Sequence, residues 1–505
     1  VVKQYNELLN SGIDDPTPII KKRTSLNFFN YSPYDLNRLK SDPNGLKMNF
    51  PNYLNGYSNN VHQILENFQL DKPVEKLIKN KKLYSLIDKF TEIDFHPDNI
   101  DNHMMGSIFE ELLRKFSEMS NETSGEHYTP RDVVKLLVSM VFSSDKENLK
   151  GEGIIRSIFD PCCGTGGMLT IGKEWVNKHI SPNVIFQLYG QELNPQTFSI
   201  CKSDFLITGE DPERIRQGSS LSEDQFDGMK FNYLITNPPF GVSWKTERVF
   251  VSNESNGVGR FSYGLPRVSD GQLLFLQHML SKLDESNGRI GIVFNGSPGF
   301  TGECGSGESE IRKNLFENDY VETIVKLPNE LFFNTPISIY LWILTKNKTQ
   351  SRKGYVQLIN SESFFKKLRK PIGDKRKILE QKHIDSILKI YNNKEENESS
   401  LIVPNDFFGY KEYVLNFPKY KDNQIEYKNN KIQIDKTKKE FLQIPLNEKI
   451  EDVLKKEKQY LGNDVIVEKD SFRIGYEVIF NKYFKPNHHI RSPKEILKEI
   501  NKLTK

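Results

Sequence analysis

Cysteine is scarce in this chain: Cys162, Cys163, Cys201 and Cys304 are the only four in 505 residues. With no C-x-x-C spacing they make neither a disulfide framework nor a zinc site, and a reducing cytoplasm is the expected location. No apolar stretch approaches the roughly 18 residues that span a bilayer, which excludes a membrane protein. Charge of one sign is lacking too: 70 Lys and Arg face 67 Asp and Glu, a formal net charge of +3. Affinity for nucleic acid resting on bulk charge is thereby excluded, and any such contact must be local or shared with a partner. The chain opens VVKQYNELLN, without an initiator Met, a basic n-region or an apolar h-region. That is not a signal peptide, and an upstream segment is expected to be missing.

What is present is core. With 33 Phe and 21 Tyr, the composition is that of a folded protein. The length suggests about three domains. Residues 1–120 read as mainly helical, with Leu77, Leu83, Leu86, Ile87 and Phe90, then Ile108, Phe109, Leu112, Leu113 and Phe116, at helical spacing. Residues 121–364 alternate strands and helices. A helix opens at TPRDVVKLLVSMVF, with Thr129 expected as N-cap, Pro130 in the first turn and Asp132 three on from the cap. Six apolar runs follow: 154–159, 184–190, 231–236, 289–294, 321–327 and 338–344. They predict an α/β fold, a mostly parallel sheet covered by helices on both faces. Residues 365–505 are Lys- and Asn-rich, with a capping box, Ser492-Pro493-Lys494-Glu495, ahead of a last helix bearing Ile496, Leu497, Ile500 and Leu503. Those apolar residues would bury against a partner or close this chain's own core. The basic run KKLRKPIGDKRK reads first as a solvated face, with direct DNA contact as the alternative.

Three strings carry chemistry, each at a strand end. Asp160-Pro161-Cys162-Cys163-Gly164-Thr165-Gly166-Gly167 is a glycine turn that lets backbone approach a ligand, although such a turn also serves structure alone. It is neither the dinucleotide fingerprint nor a phosphate loop. Glu192 ends the next strand, where a carboxylate suits the vicinal hydroxyls of a ribose; the alternative is an ordinary surface acid. Asn237-Pro238-Pro239-Phe240 ends the third of these strings. Its prolines fix φ and remove two N–H donors, so the Asn carboxamide oxygen and the Pro238 carbonyl make a rigid pair of acceptors for an exocyclic NH₂, beside an aromatic face. Asn-Pro-Pro is otherwise simply a turn. Cys162 and Cys163 read as small loop residues rather than nucleophiles, and His127 as structural or solvent-facing.

These residues resemble those of γ-type amino methyltransferases that use S-adenosylmethionine (SAM), and more narrowly the modification subunit of type I restriction-modification systems, an adenine-N6 DNA methyltransferase. Gly125-Glu126-His127-Tyr128-Thr129-Pro130-Arg131 is similar to the family segment ahead of the SAM loop, and RFSYGLPRVSDGQLLFLQHML, GRIGIVFNGSPGFTGECGSGESEIRKNL and VKLPNELFFNTPISIYLWILTKNK to consecutive family blocks. NDFFGYKEYVLNFP and IGYEVIFNKYF resemble its C-terminal pattern. The resemblance implies a Rossmann-like, seven-stranded sheet with an N-terminal helical domain, here shortened, and a C-terminal helical extension touching the specificity subunit and DNA. It implies SAM held by Tyr128, Thr129, Pro130, Asp160, Pro161, Gly164, Thr165, Gly166, Gly167, Glu192 and Asn237, with no metal, and catalysis by Asn237, Pro238, Pro239 and Phe240 on a flipped adenine. Its partners would be DNA, a specificity subunit, a second modification subunit and an ATP-dependent restriction subunit. One departure stands out: where such enzymes carry an acid after the third strand, Gly218-Ser219-Ser220-Leu221 offers Ser219. Rival readings are transfer to cytosine N4 or a protein glutamine amide, and a catalytically silent SAM-binding assembly subunit.

Overall fold

The computed structural model describes residues 2–24, 28–94, 99–100, 108, 129–421, 424–428, 431–461 and 465–484. The expected helix through Phe109, Leu112, Leu113 and Phe116, the residues His127 and Tyr128, and the capping box at 492–495 with its helix lie outside these. In chain order the strands are β1 (Ile155–Asp160), β2 (Ile185–Glu192), β3 (Ile215–Gln217), β4 (Tyr233–Thr236), β5 (Arg289–Phe294), β6 (Val321–Lys326), β7 (Tyr340–Thr345), β8 (Tyr355–Asn360), β9 (Lys366–Ile372), β10 (Lys375–Ile378) and β11 (Ser400–Pro404). All but β9 and β10 form one sheet, ordered β11-β8-β6-β7-β5-β4-β1-β2-β3. β7 runs antiparallel between β5 and β6, and β11 antiparallel to β8; the other pairings are parallel.

The six apolar runs are six of these strands. Their burial explains the lack of polar alternation: every residue of β5 and of β6 is buried, because helices lie on both faces. Helices Arg131–Ser143, Gly167–His179, Pro195–Thr208 and Gln381–Asn393 pack on one face through Leu137, Val141, Met168, Phe198 and Ile387. Gln272–Lys282 and Gly307–Glu317 pack on the other through Leu276, Met279, Ile311 and Leu315. Helix Arg131–Ser143 comes so near β5 that a Cβ on Gly291 would sit 2.6 Å from Val141 Cγ2. Among the described residues seven short helices lie in the N-terminal part, and four of them, Leu36–Ser41, Leu46–Asn55, Asp71–Lys79 and Leu83–Thr91, pack around Leu39, Leu46, Leu83 and Ile87. It is tied to the sheet layer where Asn67 Nδ2 donates to Ser199 Oγ at 2.8 Å.

Three expectations need correction. The sheet has nine strands rather than seven, since β8 and β11 extend it beyond β6. For the same reason it runs past the boundary expected at residue 364. Among the described residues the C-terminal extension is not chiefly helical: strands Ile434–Pro445, Gly409–Pro418 and Ile466–Tyr476 form a three-stranded antiparallel sheet beside helix Ile450–Leu461. Both faces of that sheet carry buried residues, Tyr410 and Glu412 on one side of its central strand and Tyr413 and Leu415 on the other. Arg473 pairs with the buried Glu412 at 2.6 Å, and charged residues scattered along all three strands break the apolar runs that would mark them in the sequence. Among the described residues no helix is long and apolar enough to cross a membrane.

Candidate active site

Strand order reverses between β1 and β4, with β2 and β3 leaving to one side and β5 to the other. Ligands of open α/β sheets bind at the carboxyl ends of the strands at such a point. A cavity of about 550 Å³ lies there. Asp160, the last residue of β1, joins the two strand ends: its Oδ1 accepts from Thr236 Oγ1 at 2.6 Å and from Cys162 N at 2.9 Å. Burial pushes this carboxyl up to about 7, although both hydrogen bonds oppose the shift.

The glycine turn leaves β1 with Gly164 at φ +54 and Gly166 at φ +84. Gly166 precedes helix Gly167–His179, and a Cβ there would lie 2.7 Å from Cys201 Sγ, so its lack of a side chain is needed for packing as well as for the left-handed turn. Asp160, Pro161, Gly164, Thr165 and Gly167 line the cavity; Gly166 does not. Glu192, at the end of β2, lines it as well and spans two loops, its Oε2 accepting from Gly164 N at 2.8 Å and its Oε1 from Asn194 N at 2.7 Å. Hydrogen bonding to Cys201 and burial hold the Cys163 thiol well above its usual range, which leaves it no thiolate character.

Asn237, Pro238, Pro239 and Phe240 line the opposite wall. Asn237 Nδ2 donates to Thr129 Oγ1 at 3.0 Å, while its Oδ1 is buried with no hydrogen-bond partner among the described residues. The Phe240 ring stands 6.2 Å from Phe332, tilted by 55°. Thr129 therefore is not the helix N-cap that its sequence position suggests. Pro130 occupies that place, its carbonyl accepting from Val133 N and Val134 N, and its ring does not line the cavity. Asp132 turns away to the Lys375 ammonium at 3.0 Å and to Leu379 N at 2.8 Å.

Ser219 lines the cavity after β3, beside Ser220, whose Oγ donates to Pro161 O at 2.6 Å. The turn is clamped from outside. Arg260 donates to the carbonyls of Ser220 (2.9 Å) and Leu221 (3.0 Å) and to Glu254 Oε1 (2.6 Å). Sequence reasoning passed over Arg260, and over Arg131, Asp204, Phe332 and Asn334 of the cavity wall. Asp204 is a mid-helix acid with no local signal; burial, reinforced by Glu174 and Glu210, pushes it up to about 7. Phe332 and Asn334 stand in VKLPNELFFNTP, a quoted block whose individual residues had no role assigned.

An orphaned buried acceptor, an aromatic wall and three carboxylates (Asp160, Glu192, Asp204) on a cavity of this size fit an elongated, cationic nucleoside bearing an amino acid. Strand order, glycine turn and acid-tipped second strand together define an α/β protein of the methyltransferase fold class. The chain belongs to the N-6 DNA Methylase family, whose model matches residues 100–429. It is 30% identical over 344 residues to the type I restriction enzyme MjaIX methylase subunit of Methanocaldococcus jannaschii, covering 68% of this chain and 57% of that subunit. It thus spans little more than half the length of that relative. The MpnII methylase subunit of Mycoplasma pneumoniae is 24% identical over 470 residues, 90% of this chain and 76% of that one. The fold is shared with the type I restriction-modification methyltransferase subunit of Streptococcus thermophilus, at TM-score 0.60 and 22% identity over 77% of this chain and 80% of that one.

Proposed function

We propose that this chain transfers a methyl group from SAM to the N6 amine of an adenine extruded from duplex DNA, as the modification subunit of a type I restriction-modification assembly. The observation that carries the reading is the unpartnered Asn237 Oδ1 beside the carbonyl of Pro238, which accepts no hydrogen bond among the described residues. Two acceptors so placed take the two N–H bonds of an amine. They withdraw its lone pair from conjugation with the ring and aim it at the cavity. SAM, held along the glycine turn, would supply the methyl group: the N–CH₃ bond forms as the S–CH₃ bond breaks, S-adenosylhomocysteine leaves, and the methylated amine gives up a proton to solvent. Glu192 keeps lone pairs for ribose hydroxyls while its backbone bonds hold the turn in shape, and Ser219 offers a hydroxyl to the adenine end where relatives of this kind carry an acid. Phe240 provides a stacking face worth about 1–3 kcal/mol to an extruded base. Positioning in a dry, preorganised site does the rest.

The relatives are named as subunits, and a net charge of +3 suits a chain that shares its hold on DNA with a specificity subunit and a second copy. A cytoplasmic location follows from that work. The test is to incubate the chain, alone and with a type I specificity subunit, with duplex DNA and methyl-labelled SAM. Label is expected in DNA as N6-methyladenine. Label in cytosine N4 or in protein glutamine, or none anywhere, overturns the reading.

A further inference from the structure

The basic run at 366–377 is the hairpin β9–β10, with seven basic residues against the single acid Asp374. β10 is bolted to the rim of the cavity. Lys375 is buried, paired with Asp132 at 3.0 Å and donating to Leu331 O at 2.8 Å. Asp374 N and Arg376 N donate to the carbonyls of Phe333 and Glu330, at 2.8 and 2.9 Å. The segment so held, 330–334, is the one that carries Phe332 and Asn334 into the cavity wall.

β9 faces outward. Lys367, Arg369 and Lys370 are exposed and have no carboxylate partner among the described residues. Lys367 stands directly across the ribbon from Lys377, whose ammonium is turned in to the Glu330 carboxylate at 3.5 Å, so Lys367 is the charge of that pair left without a counterion among the described residues. Protection of an open strand edge needs only an occasional Lys or Pro, and Lys370 with Pro371 would suffice for it. The remaining cations sit on a rigid ribbon fixed to the wall that would receive the base.

We propose that this hairpin grips the DNA backbone, with Lys367, Arg369 and Lys370 each neutralising a phosphate of the duplex beside the extruded adenine. This rests on duplex DNA being the substrate. Such contacts set register and carry no sequence information, as suits a chain whose target is read by another subunit. The test is the full-length variant K367Q/R369Q/K370Q, titrated with a labelled duplex between about 50 and about 200 mM salt. Three lost phosphate contacts should make the slope of log K against log salt shallower by about 2.7 units. Thermal melting and SAM affinity of the variant should match the parent chain. An unchanged slope, or a parent chain that holds no duplex at low salt, overturns the proposal. An unchanged slope with loss of a co-purifying acidic protein overturns it in favour of protein assembly. A reduced slope in a chain that places no label in DNA leaves the hairpin standing and fails the methyl-transfer reading instead.

Discussion

Asn237 Nδ2 and Thr129 Oγ1 meet at 3.0 Å across 108 residues of chain, so the residue just ahead of one helix orients the carboxamide at the tip of β4. Thr129→Val keeps the volume and removes the hydroxyl. A carboxamide free to rotate should cost about 100-fold in kcat for methyl transfer, and Thr129→Ser should restore most of it. Asn237→Ala should abolish transfer while SAM binding by calorimetry stays near normal. Parallel loss of both would mean that Asn237 serves the cofactor rather than the amine.

Under the proposed function, Asp160 should tie SAM affinity to pH. Its carboxyl, raised by burial to about 7, is mostly neutral below that pH, and a bound cation favours the ionised form. SAM affinity should therefore rise from pH 6 to pH 8, with proton uptake by the buffer visible in calorimetry across buffers of different ionisation enthalpy. Asp160→Asn should flatten the profile. The stability sign is opposite. Between the unfolded value near 3.8 and about 7 the folded chain holds a proton that the unfolded chain has lost, so stability present below pH 4 declines as pH rises through 7. Asp204 shares that window, and the single variant separates the two.

Gly166→Ala meets both a φ of +84 and a Cβ position 2.7 Å from Cys201 Sγ. The left-handed backbone alone should cost about 1–2 kcal/mol, read as a lower melting temperature. SAM affinity should fall with it, because the turn and the start of helix Gly167–His179 move together. Cys201→Ala in the same chain should recover the steric part and leave the backbone part.

Arg260 is a positioning residue: it touches the Ser220 and Leu221 carbonyls rather than the cavity. Arg260→Lys keeps the charge and loses the planar fork that serves both carbonyls and Glu254. KM for SAM should rise about tenfold, the effect of one lost charged hydrogen bond, with kcat little changed. Equal loss of kcat would show that the clamp acts on the chemistry instead.

Much of this architecture is legible along the chain. β1, β2 and β4–β7 are apolar runs because helices cover both of their faces, and the three motifs stand at strand ends, where side chains of an open sheet converge. β3, three residues long and polar at two of them, leaves no run to see. The C-terminal sheet hides because charged residues scattered along its strands break up any apolar run. Thr129 shows how a local rule yields to tertiary context: a hydroxyl ahead of a helix has backbone N–H groups within reach, but here the Asn237 carboxamide takes it.

The sequence by itself determined the periodicities, the turns and the residue types that can accept an amine's hydrogens, since these depend on neighbours a few bonds away. Which acids line the cavity, which arginine braces the turn after β3, and which lysines are left unpaired at its rim were decided only when segments tens of residues or more apart packed together. Burial and pairing belong to the folded environment, and no single segment carries them.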